Sequence, residues 1–212
     1  MSPDPMLPNS SKPSNPPKAD KLRSGNEVSS KLNTEDSAEF TPNVAIGVAL
    51  ALVLLAMLGR FVSVDGLGNF TPVGAVALFA GCFLKNRKLA LLVPITALVL
   101  SDIVLGWHSL VPVVYACFAL TLCFGTLLAK KLSASRVLGF ALLSALNFFV
   151  VTNFAVWAST NMYPHTLAGL AQCFWLAVPF FRNDLCATLI YSALLFGGYA
   201  LYQARVRKLA RS

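Results

Sequence analysis

The chain has 212 residues, of which 56% are hydrophobic and 12% are charged, whereas soluble domains average about 25% charged residues. This composition excludes an ordinary soluble domain. The formal net charge is +8, but the basic residues stand in short clusters between apolar runs. That placement is typical of membrane-protein loops and argues against a nucleic-acid-binding surface.

The first 42 residues differ from the rest of the chain. They contain seven of the twelve prolines, six acidic and five basic residues, and few large apolar side chains. Such a segment cannot bury enough surface to offset the conformational entropy lost on folding. We therefore predict a disordered cytoplasmic tail over residues 1–42, a membrane domain over 43–204 and a basic cytoplasmic C-terminus over 205–212.

Six apolar segments follow the tail, and most approach the roughly 20 residues that a helix needs to cross a bilayer. They cover residues 44–62, 71–84, 89–105, 111–129, 137–158 and 185–202. The second is short, and Thr71 with Pro72 suits an N-cap and a first helical position. Pro94 predicts a kink in the third. The sequence thus predicts an all-α, polytopic membrane protein.

A further apolar stretch, residues 166–181, precedes the last predicted span. It contains Gln172 and Pro179 and is short for a crossing. If it crossed the membrane, the basic residues after 204 would lie on the opposite side from the other basic clusters. Since cytoplasmic loops carry the Lys/Arg excess, the sequence favours six transmembrane helices with both termini in the cytoplasm. The stretch is then a short re-entrant or interfacial helix.

Polar side chains gather on the non-cytoplasmic side of this topology. Such residues are costly near a membrane span, so they mark a candidate functional site. The predicted solute-binding residues are Arg60, Asn69, Thr71, Asp102, His108, Asn153, Trp157, Tyr163, Arg182 and Asn183. Within this set, we expect Asp102 and Arg182 to provide charge complementarity, Asn153 to hydrogen-bond the solute, and Trp157 to stack on it.

Several of these residues have a second interpretation. Asp102 either contacts a ligand or forms an ion pair with Arg60 or Arg182 that locks helices together. Trp157 stacks on a ligand or marks the membrane interface, where tryptophan is enriched. We expect Asp184 to stabilise the N-terminus of the last helix.

Catalytic and metal-binding patterns are absent from the sequence. His108 and His165 have no third ligand at a metal-site spacing. Nucleophile-elbow, zinc-protease and phosphate-binding-loop motifs are also missing. We therefore predict neither an enzyme nor a cofactor.

Several short strings have a family resemblance. They are NFTPVGA (69–75), SD (101–102), LGWH (105–108), TNFAVW (152–157), MYPHT (162–166) and PFFRN (179–183). These strings resemble an uncharacterised family of small bacterial integral membrane proteins, over most of residues 60–197. That family is in turn similar to the substrate-binding (S) components of energy-coupling-factor vitamin transporters, which are six-helix bundles with both termini inside and a vitamin site near the outer face.

The resemblance implies a substrate-binding or uptake component for a small, vitamin-like solute in the bacterial inner membrane. In such components, small residues on the first helix contact an energising subunit. The resemblance implies that Ala45 and Ala49 make this contact here. The expected partners are thus the lipid bilayer, a small-molecule substrate and an energising transporter subunit. The alternative is a structural or accessory membrane subunit whose polar cluster only locks helices together.

Overall fold

The computed structural model describes residues 42–63 and 68–211, and within them all regular structure is helical. The predicted disordered tail lies, except for Pro42, outside the described residues. The six helices are α1 (Pro42–Val62), α2 (Val73–Phe83), α3 (Arg87–Leu105), α4 (Val111–Ala129), α5 (Ala134–Ser159) and α6 (Leu167–Leu209). The predicted all-α fold is therefore confirmed for the part of the chain that is described.

Five of these helices, α1 and α3 to α6, are long and apolar enough to cross a membrane. The exception is α2, which has 11 residues and is therefore about 16 Å long. That length is about half of the ~30 Å hydrocarbon core of a bilayer. Residues 73–81 of α2 are all buried, so this helix is an internal element of the bundle.

The short α2 packs against all five other helices. Its closest approach is to α4, where a Cβ atom at Gly81 would collide with the carbonyl oxygen of Leu122. Reciprocally, a Cβ atom at Gly125 would collide with the carbonyl oxygen of Leu78. Small residues at such a crossing let two helix backbones come into direct contact. The α2–α4 crossing thus depends on a glycine in each helix.

The last helix, α6, is one continuous helix of 43 residues, about 64 Å long. The expected re-entrant or interfacial helix over 166–181 is therefore not a separate element, and this prediction was wrong. Thr166 caps the start of α6 by accepting a hydrogen bond from the Gly169 amide, 3.1 Å away. Pro179 lies inside the helix without ending it. Phe174 and Phe181, on either side of Pro179, both pack against Phe149 of α5, which holds the two halves of α6 on one neighbour.

Ala45 and Ala49 of α1 lie on the side of the helix that faces the bundle. Ala49 is 4% exposed and belongs to the hydrophobic core, and Ala45 packs against that core. The outward side of α1 instead presents large side chains, at Leu50, Leu54 and Leu58. Ala49 is thus covered by the chain's own helices, whereas Ala45 is partly exposed, and the contact of these two residues with an energising subunit stays a prediction.

The two ends of the bundle differ in chemistry. α2 and α6 run in the same direction, since Gly74 lies beside Thr188 and Phe83 packs on Tyr199, with ring centroids 4.1 Å apart. The loop after α2, the loop after α4 and the end of α6 carry the basic clusters. We call this side the basic end. The first turn of α2 and the last turns of α1, α3 and α5 lie at the opposite end.

Candidate functional site

A cavity of about 520 Å³ lies at the end of the bundle opposite the basic end. All six helices and the two loops before α2 and α4 contribute to its walls. Its polar lining comprises Arg60, Ser63, Asn69, Thr71, His108, Thr152, Asn153 and Asp184. Small-molecule sites typically have volumes of about 300–1,000 Å³ and mostly apolar walls with a few polar groups. The cavity therefore has the size and lining of a site for one small solute.

Aromatic rings form much of the apolar wall. The phenylalanines that line the cavity are Phe118, Phe148, Phe149, Phe180 and Phe181. Phe118 stacks on Phe148, with ring centroids 5.3 Å apart and an interplanar angle of 29°. Phe149 contacts Phe181, with centroids 4.6 Å apart. Because phenyl faces carry partial negative charge, these walls accept either an aromatic ring or a cation.

A charged network lies behind the cavity wall and reaches the cavity through Arg60. Arg60, in the last turn of α1, places Nη2 2.8 Å from Oδ1 of Asp102 in α3. The hydroxyl of Tyr115 in α4 donates a 2.9 Å hydrogen bond to Oδ2 of the same carboxylate. Asp102 is 1% exposed, and it does not line the cavity itself. Of the two ion pairs considered for Asp102, the structure thus contains the one with Arg60.

The carboxylate of Asp184 is the second buried acidic group at this end. Asp184 borders the cavity and is 5% exposed. Its Oδ2 atom has no hydrogen-bond partner within the described ranges. The expected role of Asp184 at a helix N-terminus was wrong, because α6 begins at Leu167 and carries Asp184 in its interior. A buried charge without a partner is costly, so this residue is a strong candidate for a functional contact.

Five of the ten predicted site residues line the cavity: Arg60, Asn69, Thr71, His108 and Asn153. The Nδ2 atom of Asn153 donates to the Phe149 carbonyl, 2.8 Å away, which leaves its amide oxygen as an acceptor. Asn69 adopts a left-handed conformation, with φ of 66°, at the turn that leads into α2. Asn183 stands behind this turn and donates to the Gly68 carbonyl, 3.1 Å away.

Trp157, Tyr163 and Arg182 do not belong to the cavity wall. The indole Nε1 of Trp157 donates to the Pro164 carbonyl, 3.0 Å away. Its ring meets the His165 ring edge-on, with centroids 5.7 Å apart. Arg182 is exposed. Trp157 therefore fastens the loop between α5 and α6, and the structure gives it no stacking position in the cavity.

Sequence reasoning missed Asp184 and the five phenylalanines as site residues. A signal for Asp184 was available, because it directly precedes the apolar run 185–202 and acids near or within membrane spans are usually functional. The phenylalanines gave no such signal, since single aromatic residues in apolar helices are ordinary packing residues.

A smaller cavity of about 380 Å³ lies between α5 and α6, toward the basic end. Its walls are mainly apolar and include Val137, Leu189 and Phe196. Ser192 also lines it, and its buried hydroxyl has no hydrogen-bond partner in the described part of the chain. The cavity contains no charged side chain among its lining residues.

The described part of the chain is thus an all-helical bundle with five helices long and apolar enough to cross a membrane, which is compatible with a multi-pass membrane protein. The chain belongs to a family of unknown function, DUF6580, whose model matches residues 40–209. No curated protein and no solved structure matches the chain.

Proposed function

We propose that this protein is a membrane-embedded substrate-binding or uptake component for a small solute in the bacterial inner membrane. The observation that carries the proposal is the 520 Å³ cavity, to which all six helices contribute and which combines phenyl walls with buried charged groups. Helix locking alone does not require an open space of this size, since protein interiors are normally packed to crystal-like density.

The chemistry of the lining supports solute binding. Arg60 keeps its Nη1 atom without a hydrogen-bond partner among the described residues, while Nη2 is held by Asp102. Asn153 and Thr71 add neutral polar groups nearby. A solute that hydrogen-bonds these groups relieves the cost of burying them unpaired, which gives the site both affinity and orientation.

The distribution of basic residues supports an orientation. Cytoplasmic loops carry the Lys/Arg excess, so we place the basic end in the cytoplasm and the cavity at the outer face. In this arrangement the chain crosses the membrane six times, with α2 as a short internal crossing segment, and both termini are cytoplasmic. The solute therefore enters the cavity from the non-cytoplasmic side.

A structural or accessory role is the second candidate, and the Arg60–Asp102–Tyr115 network favours it. This network joins α1, α3 and α4 through two contacts shorter than 3 Å, which is the geometry of a helix lock. It explains Asp102, but it leaves the cavity and Asp184 without a role. The two candidates therefore differ in whether a compound occupies the cavity.

Co-purification tests the proposal. The protein is purified in mild detergent, and bound small molecules are identified by mass spectrometry. Ala177 lines the cavity and is 8% exposed, so Ala177→Phe fills part of the site. Ala171 is exposed on the same helix, so Ala171→Phe is the matched control. We expect a compound in the native protein and in the control, and its loss in Ala177→Phe.

The opposite results favour the accessory role. If neither the native protein nor the control carries a compound, the uptake proposal fails. If the compound persists in Ala177→Phe, it binds elsewhere, and the cavity is not its site. Melting temperatures of all three proteins show whether Ala177→Phe remains folded, and Asn153→Leu is the second cavity variant if it does not.

A further inference from the structure

We infer that the solute of this cavity is an organic cation, namely a protonated amine or a quaternary ammonium group on an apolar or aromatic body. This inference rests on the proposed function and names the substrate class of the same site. The observation behind it is the charge balance of the buried groups at the cavity end.

The charges at the cavity do not cancel. Arg60 and Asp102 form an ion pair, with a distance of 2.8 Å, so their charges offset each other. Asp184 is buried, and no ion pair reaches it in the described ranges. Arg182, two residues earlier in α6, is exposed and does not line the cavity. His108 lines the cavity but is exposed. The described wall therefore holds one acidic group without a counter-charge.

A cationic solute supplies the missing counter-charge. An unpaired buried carboxylate is strongly unfavourable, whereas a carboxylate paired with a well-placed cation is not. An anionic solute would instead disfavour the ionised form of Asp184 and could form no ion pair with it. Arg60 offers an anion little net attraction, because Asp102 already neutralises it. Its free Nη1 remains a hydrogen-bond donor to a neutral acceptor on the solute, such as a hydroxyl or carbonyl oxygen.

The phenyl walls favour an organic cation over a metal ion. Ammonium groups are attracted to aromatic faces within about 6 Å of the ring centroid, and five phenylalanines line this cavity. Hard metal ions require several oxygen ligands. Among the described residues there is no group of three or more His, Cys, Asp or Glu side chains that could hold a metal ion. A cavity of about 520 Å³ also has room for a carbon skeleton beyond the cationic group.

Four probes of similar size and different charge test the inference. They are 2-phenylethylammonium, the neutral 2-phenylethanol and the anionic 3-phenylpropionate, with benzyltrimethylammonium as a quaternary cation. Binding is measured by calorimetry and by thermal shift in mild detergent. We expect the native protein to bind the two cations more tightly than the alcohol, and the anion least.

Asp184→Asn removes the charge with little change in shape. We expect it to weaken binding of the cations by a factor on the order of 30 or more, as loss of one partner from a buried charge pair does. Binding of 2-phenylethanol should change much less. Arg182→Gln, an exposed charge change two residues away, is the control and should leave the preference for cations intact.

The outcomes separate this inference from the proposed function. Suppose that a neutral or anionic compound co-purifies and that Ala177→Phe abolishes its binding. This result supports the proposed binding function and overturns the inference that the solute is a cation. A cation preference that survives Asp184→Asn means that Asp184 is not the counter-charge, and it overturns the charge argument on which this inference rests. If no cationic probe binds and no compound co-purifies, both proposals fail.

Discussion

The guanidinium of Arg60 and the carboxylate of Asp102 join the last turn of α1 to the last turn of α3 across 2.8 Å. Asp102 is almost fully buried, while the side chain of Arg60 is 17% exposed. Since removing one partner from a buried pair leaves the other charge uncompensated, the cost of breaking it exceeds the net contribution of the pair itself.

Asp102→Asn should therefore destabilise the protein by about 3 kcal/mol. The double variant Arg60→Gln, Asp102→Asn should be more stable than Asp102→Asn alone, because it leaves no unpaired charge. Thermal or denaturant unfolding in detergent measures both. Equal stability of the two variants would mean that the Arg60 charge is compensated elsewhere.

Tyr115→Phe removes the hydrogen bond of 2.9 Å to Asp102 and keeps the ring. We expect a loss of stability of about 1–2 kcal/mol, since the acceptor is charged and buried. Tyr202→Phe is a matched control, because Tyr202 is 60% exposed near the basic end, and it should change stability by less than about 0.5 kcal/mol. Similar effects of the two substitutions on the unfolding midpoint would argue against the network.

Gly81→Ala places a methyl group against the Leu122 carbonyl and should separate α2 from α4. We expect it to cost about 2 kcal/mol or more, in the range of overpacking substitutions. At Gly139 in α5 there is no atom within 4 Å of an added Cβ. Gly139→Ala should therefore be neutral or stabilising by about 0.5–1 kcal/mol, because alanine favours helix. Equal melting temperatures for the two variants would contradict the close crossing.

Trp157→Phe tests the boundary of the site. It removes the hydrogen bond to the Pro164 carbonyl and should lower stability by about 1 kcal/mol. Because Trp157 lies outside the cavity wall, the affinity for 2-phenylethylammonium should stay within about twofold. Phe149→Ala, in the wall, should weaken the same binding substantially. A large loss of affinity in Trp157→Phe would mean that Trp157 does contact the bound solute.

The sequence was sufficient to predict the helices and their approximate positions. Long apolar runs bounded by basic loops allow little other than membrane helices. It failed at residues 166–181, where Pro179 and the polar string that follows suggested a break. The continuity of α6 comes instead from contacts of Phe174 and Phe181 with Phe149, and such tertiary contacts are not visible in a single sequence.

Five of the ten predicted site residues lie outside the cavity wall for a similar reason. Topology placed Arg60, Asn69 and Asn153 at one end, and they do share a cavity. Which side chains point inward depends on helix rotation, and nearly uniform apolar helices give weak information about it. Arg182 and Asp184 illustrate this: they are two residues apart on the same helix, yet Arg182 is exposed and Asp184 is buried.

The short, enclosed α2 has a consequence for how the protein is made. Its 11 residues do not suffice as an independent insertion signal, so α2 should enter the bilayer together with α3. The side chain of Arg87 links the two, since Nη1 donates to the Gly81 carbonyl at 2.9 Å. The helices that enclose α2 on its other sides, α4 to α6, are synthesised afterwards. The centre of this bundle is therefore synthesised early, and α2 acquires its full set of neighbours only after α4 to α6 have been made.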